Sequence, residues 1–136
     1  MTTNNEINYV SRPVWNNAIR GKRNEVWFYR YRSAWDLASI VCGDKVTQEE
    51  YEEALTLLNS VQRYALADAR EWELENSSER YCNSQYHKTR EKQLDARRAK
   101  LQKRLSRYGL KMINYGLYPT IVNKNGNDQY MLHYFD

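Results

Sequence analysis

Hydrophobic residues recur every three or four positions through the middle of the chain, between Thr47 and Gly109. That spacing lines one face of a helix, and here it predicts two long helices folded back on each other. The first begins with a capping box, Thr47-Gln48-Glu49-Glu50, in which a hydroxyl and a carboxylate stand three residues apart. It extends to about Asn76. Its inward face is expected to consist of Tyr51, Ala54, Leu55, Leu58, Val61, Ala65, Ala69 and Trp72.

The returning helix is predicted to begin between Ser78 and Ser84 and to end at Gly109, a residue type favoured just after a helix. Its inward face is expected to consist of Leu94, Arg98, Leu101, Leu105 and Tyr108. An earlier helix is predicted from Asn24, as N-cap, to Cys42. Its inward face is expected to consist of Trp27, Tyr31, Ala34, Trp35, Ala38 and Val41, with Phe28 in a second contact or exposed.

Beyond Gly109 the helical spacing gives way to short runs of β type. Asn125-Gly126 is typical of a tight hairpin, and it would place Val122 opposite Gln129. The last strand is predicted over 129–135. The fold class is therefore expected to be mainly α (α+β): three helices with a long antiparallel helical hairpin, plus a small C-terminal antiparallel β-sheet.

The length of 136 residues indicates one domain, 1–136. Within it we expect a disordered segment at 1–10, a helical core at 24–109 and the β-hairpin or sheet at 110–136. Mean hydropathy is −0.93, and no apolar run approaches the roughly 18 residues of a membrane span. The N-terminus is polar and does not resemble a signal peptide. We therefore expect a cytoplasmic protein that makes no membrane contact.

Cysteine, histidine and carboxylate residues supply the obvious candidates for chemistry. Cys42, Cys82, His87 and His133 would suffice for a Cys₂His₂ metal site, but their spacing fits no zinc-finger pattern. The carboxylates at 49–53 and 71–75 are explained by the first turn of a helix, where negative charge is favourable, or by its exposed side. We therefore predict no catalytic residue, no metal site and no cofactor.

Charge divides sharply along the chain. Residues 36–76 carry a net charge of −7 and residues 77–111 a net charge of +8, within a total of +4. Such a basic helix can follow a phosphate backbone without recognising sequence, unless the acidic helix neutralises it, an alternative that the sequence leaves open. The residues predicted to bind nucleic acid or a partner protein are Arg20, Lys22, Arg23, Arg90, Arg97, Lys100, Arg104 and Arg107.

Three features of the chain carry a family resemblance. They are its size, its basic composition rich in Tyr and Asn, and the stretch SRPVWNNAIRGKRNEVWFYRYR at 11–32. In these features the chain resembles small accessory proteins of Gram-positive phages and conjugative elements, some of which are anti-CRISPR proteins. The resemblance implies a non-enzymatic protein of a mobile genetic element that blocks or bridges a partner handling nucleic acid.

Two other functions stay open at this point. Tyr130-x-Leu132-His133-Tyr134 resembles the C-terminal end of RelE-type ribonuclease toxins, which implies RNA cleavage by basic residues together with a His or Tyr. Strands that all follow the helices depart from the order of elements in that family. The remaining alternative is a structural protein that forms a homodimer through its long helical hairpin.

Overall fold

The computed structural model describes residues 8–14, 22–115, 118–123 and 129–130, with side chains for 8–14, 28 and 30–112. The protein is mainly helical, as predicted. Its helices are α1 (Lys22–Cys42), α2 (Gln48–Ser77), α3 (Glu79–Cys82) and α4 (Gln85–Ser106). Its strands are β1 (Leu110–Tyr115), β2 (Tyr118–Asn123) and β3 (Gln129–Tyr130).

Helix α1 begins two residues before the predicted N-cap Asn24, because Lys22 and Arg23 are themselves good helix formers. It ends where predicted, before Gly43, whose φ of 67° suits glycine. Its inward face agrees with the prediction in part. Among the described side chains of α1, Ala34 and Ala38 are buried as predicted, together with Phe28 and Leu37, whereas Val41, predicted to face inward, is 45% exposed. The side chain of Trp27 lies outside the described residues.

The segment before α1 is held against the rest of its unit. The backbone N–H of Val10 donates to the carbonyl of Val46 at 2.7 Å, and the indole N–H of Trp35 donates to the carbonyl of Val10 at 2.7 Å. The Arg12 guanidinium donates to both carboxylate oxygens of Asp36 at 2.8 and 3.1 Å. The disorder predicted for 1–10 therefore does not extend to Val10.

Helix α2 has the predicted cap and length. Oγ of Thr47 accepts from the backbone N–H of Glu50 at 3.2 Å, and the helix continues for 30 residues. Trp72, however, is 48% exposed, so its placement in the core was wrong. The buried positions instead repeat through Leu57, Val61, Tyr64 and Glu71, with Asp68 half-buried between the last two, and this turns the next position, Trp72, away from the core.

Two serine caps divide the predicted third helix, so the described chain has four helices instead of three. Ser78 Oγ accepts from the backbone N–H of Tyr81, and Ser84 Oγ accepts from that of His87, each at 3.1 Å. The inward face of α4 follows the prediction, with Leu94, Leu101, Leu105 and the following Tyr108 buried. The side-chain amide of Gln102 joins this helix to β1 by accepting from the backbone N–H of Met112 at 2.8 Å.

The strands pair antiparallel in the order β1-β2-β3, and Val122 lies opposite Gln129. From Ile113 onward only the backbone of these strands is described. A C-terminal sheet packed against the helices therefore stays a prediction, and residues 131–136, the rest of the predicted last strand, lie outside the described residues.

Contacts within the chain define two compact units, and the division falls inside α2, between Leu58 and Asn59. The first unit includes α1 and the beginning of α2. The second includes the remainder of α2, together with α3, α4 and the strands. The single domain expected from length stays a prediction.

Replacing Leu101 by Ala tests the core assignment of α4. Leu101 is 6% exposed, so its truncation should lower the free energy of unfolding by about 2–5 kcal/mol, measured by urea denaturation. Lys103→Ala, on the exposed side of the same helix, is the control and should change stability by less than about 0.5 kcal/mol. An equally small effect of Leu101→Ala would show that this face of α4 is not packed.

Candidate functional site

Two titratable side chains lie in the interior of the second unit. Glu71 on α2 and His87 on α4 are 7% and 2% exposed, and they are the buried polar or charged residues among those with described side chains. A buried charge is costly unless it is paired. Glu71, His87 and the residues that contact them therefore form the candidate functional site in the described part of the chain.

One carboxylate oxygen of Glu71 accepts two hydrogen bonds. Its Oε2 lies 2.8 Å from Nδ1 of His87 and accepts from the hydroxyl of Tyr81 at 2.6 Å. The other oxygen, Oε1, lies 3.8 Å from Nε of Arg90. Glu71 is thus held by groups from α3 and α4 together.

The serine caps explain this arrangement locally. Ser84 fixes the first turn of α4, so His87 lies three residues inside the helix and directed at α2. The short helix α3 brings Tyr81 beside it, with ring centroids of Tyr81 and His87 separated by 5.2 Å. Two local sequence signals, Ser78 and Ser84, therefore position the partners of Glu71.

The second nitrogen of the imidazole is also surrounded by carboxylates. Nε2 of His87 lies 3.2 Å from Oε1 of Glu91, one turn later on α4, and 3.7 Å from Oε2 of Glu75 on α2. The thiol of Cys82 lies within 4.8 Å of a ring nitrogen of His87. His87 is consequently placed among three carboxylates and one thiol.

These neighbours shift the pKa of both residues. The hydrogen bond to Glu71, strengthened by the charges of Glu91 and Glu75, raises the pKa of His87 although burial opposes this. Burial alone would raise the pKa of Glu71, but hydrogen bonds from Tyr81 and His87 outweigh it and hold that pKa below its ordinary value. Burial and the bond to Glu71 raise the pKa of Tyr81 to about 12, so its hydroxyl remains a donor.

A groove of about 240 Å³ opens beside this cluster. Its lining contains His87, Trp72 and Leu94. The other lining residues are five carboxylates, after which we call it the acidic groove: Asp68, Glu71, Glu75, Glu91 and Asp95. Burial and the negative charge of Asp95 raise the pKa of Asp68, while the nearby Arg98 opposes the shift. The groove is suited to a cation and unsuited to a phosphate.

Three side chains in this part of the molecule have ligand atoms close enough to share a metal ion. They belong to Glu75, Cys82 and His87, whose ligand atoms all lie within 4.8 Å of one another. The sequence identified Cys82 and His87 among four candidate ligands. Of the other two, Cys42 belongs to the first unit and His133 lies outside the described residues. The ribonuclease alternative depends on His133 and stays untested for the same reason.

The carboxylates of the groove were missed because each appears, along its own helix, to be an ordinary solvated charge. A usable signal was present in the spacing. Glu71 and Glu75 stand four residues apart, as do His87 and Glu91, so each helix presents two such groups on one face.

The structure describes the cations of the predicted binding set only in part. Arg20 lies outside the described residues, as do the side chains of Lys22 and Arg23. Nε of Arg90 lies 3.8 Å from Oε1 of Glu71, and its guanidinium donates to Gln93 at 3.1 Å, so Arg90 is paired with residues around Glu71.

The remaining members of that set follow on α4. Lys100, Arg104 and Arg107 are exposed and Arg97 is half-buried. Arg107 lies over the ring of Tyr108, with its guanidinium carbon 5.5 Å from the ring centroid. Within the described chain, no carboxylate lies within 4.0 Å of Arg97, Lys100 or Arg104. Neutralisation by the acidic helix therefore applies to Arg90 and not to these three.

No protein-family model matches this chain, nor does any curated protein or solved structure. None of the helices in the described part of the chain has the length and apolar composition that a membrane span needs.

The stabilisation from Glu71 and His87 should be fully present between about pH 4.5 and 6.5, the ordinary pKa values of the two groups. The raised pKa of His87 stabilises the fold below pH 6.5, and this contribution is lost as pH rises through the folded-state pKa. The lowered pKa of Glu71 stabilises the fold above pH 4.5, and this contribution is lost as pH falls. The difference in unfolding free energy between wild type and Glu71→Gln should therefore be greatest inside this window and shrink on either side.

The measurement is urea denaturation across this pH range, with a chelator present to remove metal. Glu73→Gln, an exposed carboxylate on the same helix, is the matched control and should leave the pH profile unchanged. A stability difference for Glu71→Gln that does not vary with pH would contradict a charged Glu71–His87 contact.

Proposed function

We propose that this chain is a non-enzymatic binding protein that contacts nucleic acid, free or within a nucleic-acid-processing complex. The contact is made by the basic surface, which we define as Arg97, Lys100, Lys103 and Arg104 on the second half of α4. One observation carries the proposal: from Ala96 to Met112 the sequence has seven basic residues and no acidic one.

The geometry of α4 supports a continuous basic surface. At about 100° per residue, the four cations occupy roughly a third of the helix circumference, away from the buried Leu101 and Leu105. Lys100, Lys103 and Arg104 are exposed and Arg97 is half-buried. None of the four has a carboxylate within 4.0 Å in the described chain.

These cations contribute little to the fold, since exposed ionic groups typically change stability by less than about 1 kcal/mol. Their value to a phosphate backbone is larger. From Arg97 to Arg104 the helix advances about 10 Å, while the phosphates of one duplex strand follow at about 3.4 Å along the axis. The basic surface can thus meet about three phosphates and release the counterions bound to them.

The expected mode of binding has no sequence preference, because Lys and Arg contacts to phosphates position a protein without identifying bases. The acidic groove repels phosphates, so contact is expected along the second half of α4 and not at its beginning. In the mobile-element or anti-CRISPR setting that the sequence resembles, such a contact would engage a complex that handles DNA or RNA.

The test is charge reversal of three exposed cations together, Lys100→Glu, Lys103→Glu and Arg104→Glu. Affinity for duplex and single-stranded nucleic acid, measured by fluorescence anisotropy, should fall on the order of 100-fold at low salt. The slope of log affinity against log salt should become shallower by about 2 to 3, since each lost phosphate contact removes about 0.9.

The matched control reverses two exposed cations of the same helix beside the acidic groove, Lys88→Glu and Lys92→Glu. It should leave the salt slope nearly unchanged, and urea denaturation should show both variants folded. Equal loss in the control would show that general positive charge, and not the basic surface, governs binding. Wild-type protein without salt-dependent binding to any nucleic acid would exclude direct contact and leave a protein partner as the target.

A further inference from the structure

We propose a site for a transition-metal dication, with Zn²⁺ as the best match, at the border of the acidic groove, formed by Glu75 and His87 from its lining together with Cys82. The site is independent of the basic surface. Three features favour a metal ion there: the separations of the ligand atoms, the orientation of the imidazole, and the charge of the groove.

The separations match a tetrahedral zinc ion. Bonds of about 2.0–2.3 Å place neighbouring tetrahedral ligands about 3.4–3.6 Å apart. Nε2 of His87 and Oε2 of Glu75 are 3.7 Å apart, and the thiol of Cys82 lies within 4.8 Å of a ring nitrogen of His87 and of a carboxylate oxygen of Glu75. Closure requires shifts of about 1 Å, which Glu75 can supply because its side chain is 39% exposed.

The imidazole is already oriented as a ligand. Nδ1 of His87 is hydrogen-bonded to Glu71, whose Oε2 also accepts from the Tyr81 hydroxyl. With its proton on Nδ1, the ring presents the lone pair of Nε2 on the side of Glu75 and Glu91. A carboxylate behind a metal-binding histidine fixes the tautomer and ring orientation in this way and makes the ring a better donor.

Glu91 can supply the fourth ligand only after its side chain moves, because it does not belong to the group whose ligand atoms lie within 4.8 Å of one another. Its Oε1 lies 3.2 Å from the same Nε2 of His87, close to the separation of two ligands on one zinc ion. Its side chain is 52% exposed and therefore free to move towards the metal. One thiolate, one imidazole and two carboxylates suit zinc, whereas Mg²⁺ and Ca²⁺ prefer oxygen ligands throughout.

The charge of the groove favours a dication. Five carboxylates line it, and its described lining contains no Lys or Arg; Nε of Arg90 lies 3.8 Å from Oε1 of Glu71. A dication would offset this excess negative charge at the point where His87 and three of the carboxylates converge. In the described part of the chain, no other group of three His, Cys, Asp or Glu residues has its ligand atoms within 4.8 Å of one another.

The experiment titrates metal-free, full-length protein with Zn²⁺ by calorimetry and with Co²⁺ by absorption at neutral pH. Wild type should bind one ion per chain, and Co²⁺ should produce a thiolate-to-metal charge-transfer band. Cys82→Ser should abolish the band, and Cys82→Ser and Glu75→Gln should each weaken Zn²⁺ binding by at least about tenfold. Glu71→Gln, behind the imidazole, should weaken it about 10–100-fold.

The chain offers a matched control for each ligand. Cys42→Ser removes the other thiol and Glu73→Gln an exposed carboxylate nearby, and each should change the affinity less than about twofold. Any one of three results would overturn the proposal. The first is wild type without saturable Zn²⁺ binding in the micromolar range, and the second is wild type without a charge-transfer band with Co²⁺. The third is a loss of Zn²⁺ affinity in Cys42→Ser as large as that in Cys82→Ser. If Cys82→Ser fails to fold, Glu75→Gln and the wild-type band decide the question.

Discussion

The hydrogen bond between Glu71 and His87 is the contact on which the second unit depends most. It joins α2 to α4 in the interior, where a charge without a partner would be costly. Tyr81 and Arg90 complete the surroundings of the carboxylate, so α3 and α4 are both placed relative to α2 through one side chain. These contacts favour the register of α4 in which Leu94, Leu101 and Leu105 are buried.

Helix α4 contributes to two environments of opposite sign. Its first half supplies His87, Glu91 and Asp95 to the acidic groove, while its second half has exposed cations and no carboxylate. The helix dipole favours Lys103 and Arg104 in the last turn, but it does not account for Arg97 and Lys100 further from that end. The function proposed for this surface follows from that excess of positive charge.

The sequence predicted those features that depend on interactions within one helix, and it missed those that depend on contacts between helices. Capping by Thr47 and burial of Leu101 follow from spacing along one helix, and both were predicted. Trp72 was misplaced because the core stripe of α2 includes the charged Glu71, which hydrophobic periodicity cannot recognise. The groove was missed because its members come from separate helices.

About 13 residues separate Glu91 from Arg104, which corresponds to about 20 Å along α4. At physiological ionic strength the Debye length is about 8 Å. The far ends of the acidic groove and the basic surface are therefore largely screened from each other, whereas Asp95 and Arg97, only two residues apart, lie within one Debye length. In dilute salt the electrostatic fields of the groove and the basic surface merge, and the second unit behaves as a single electric dipole whose basic end approaches a polyanion first.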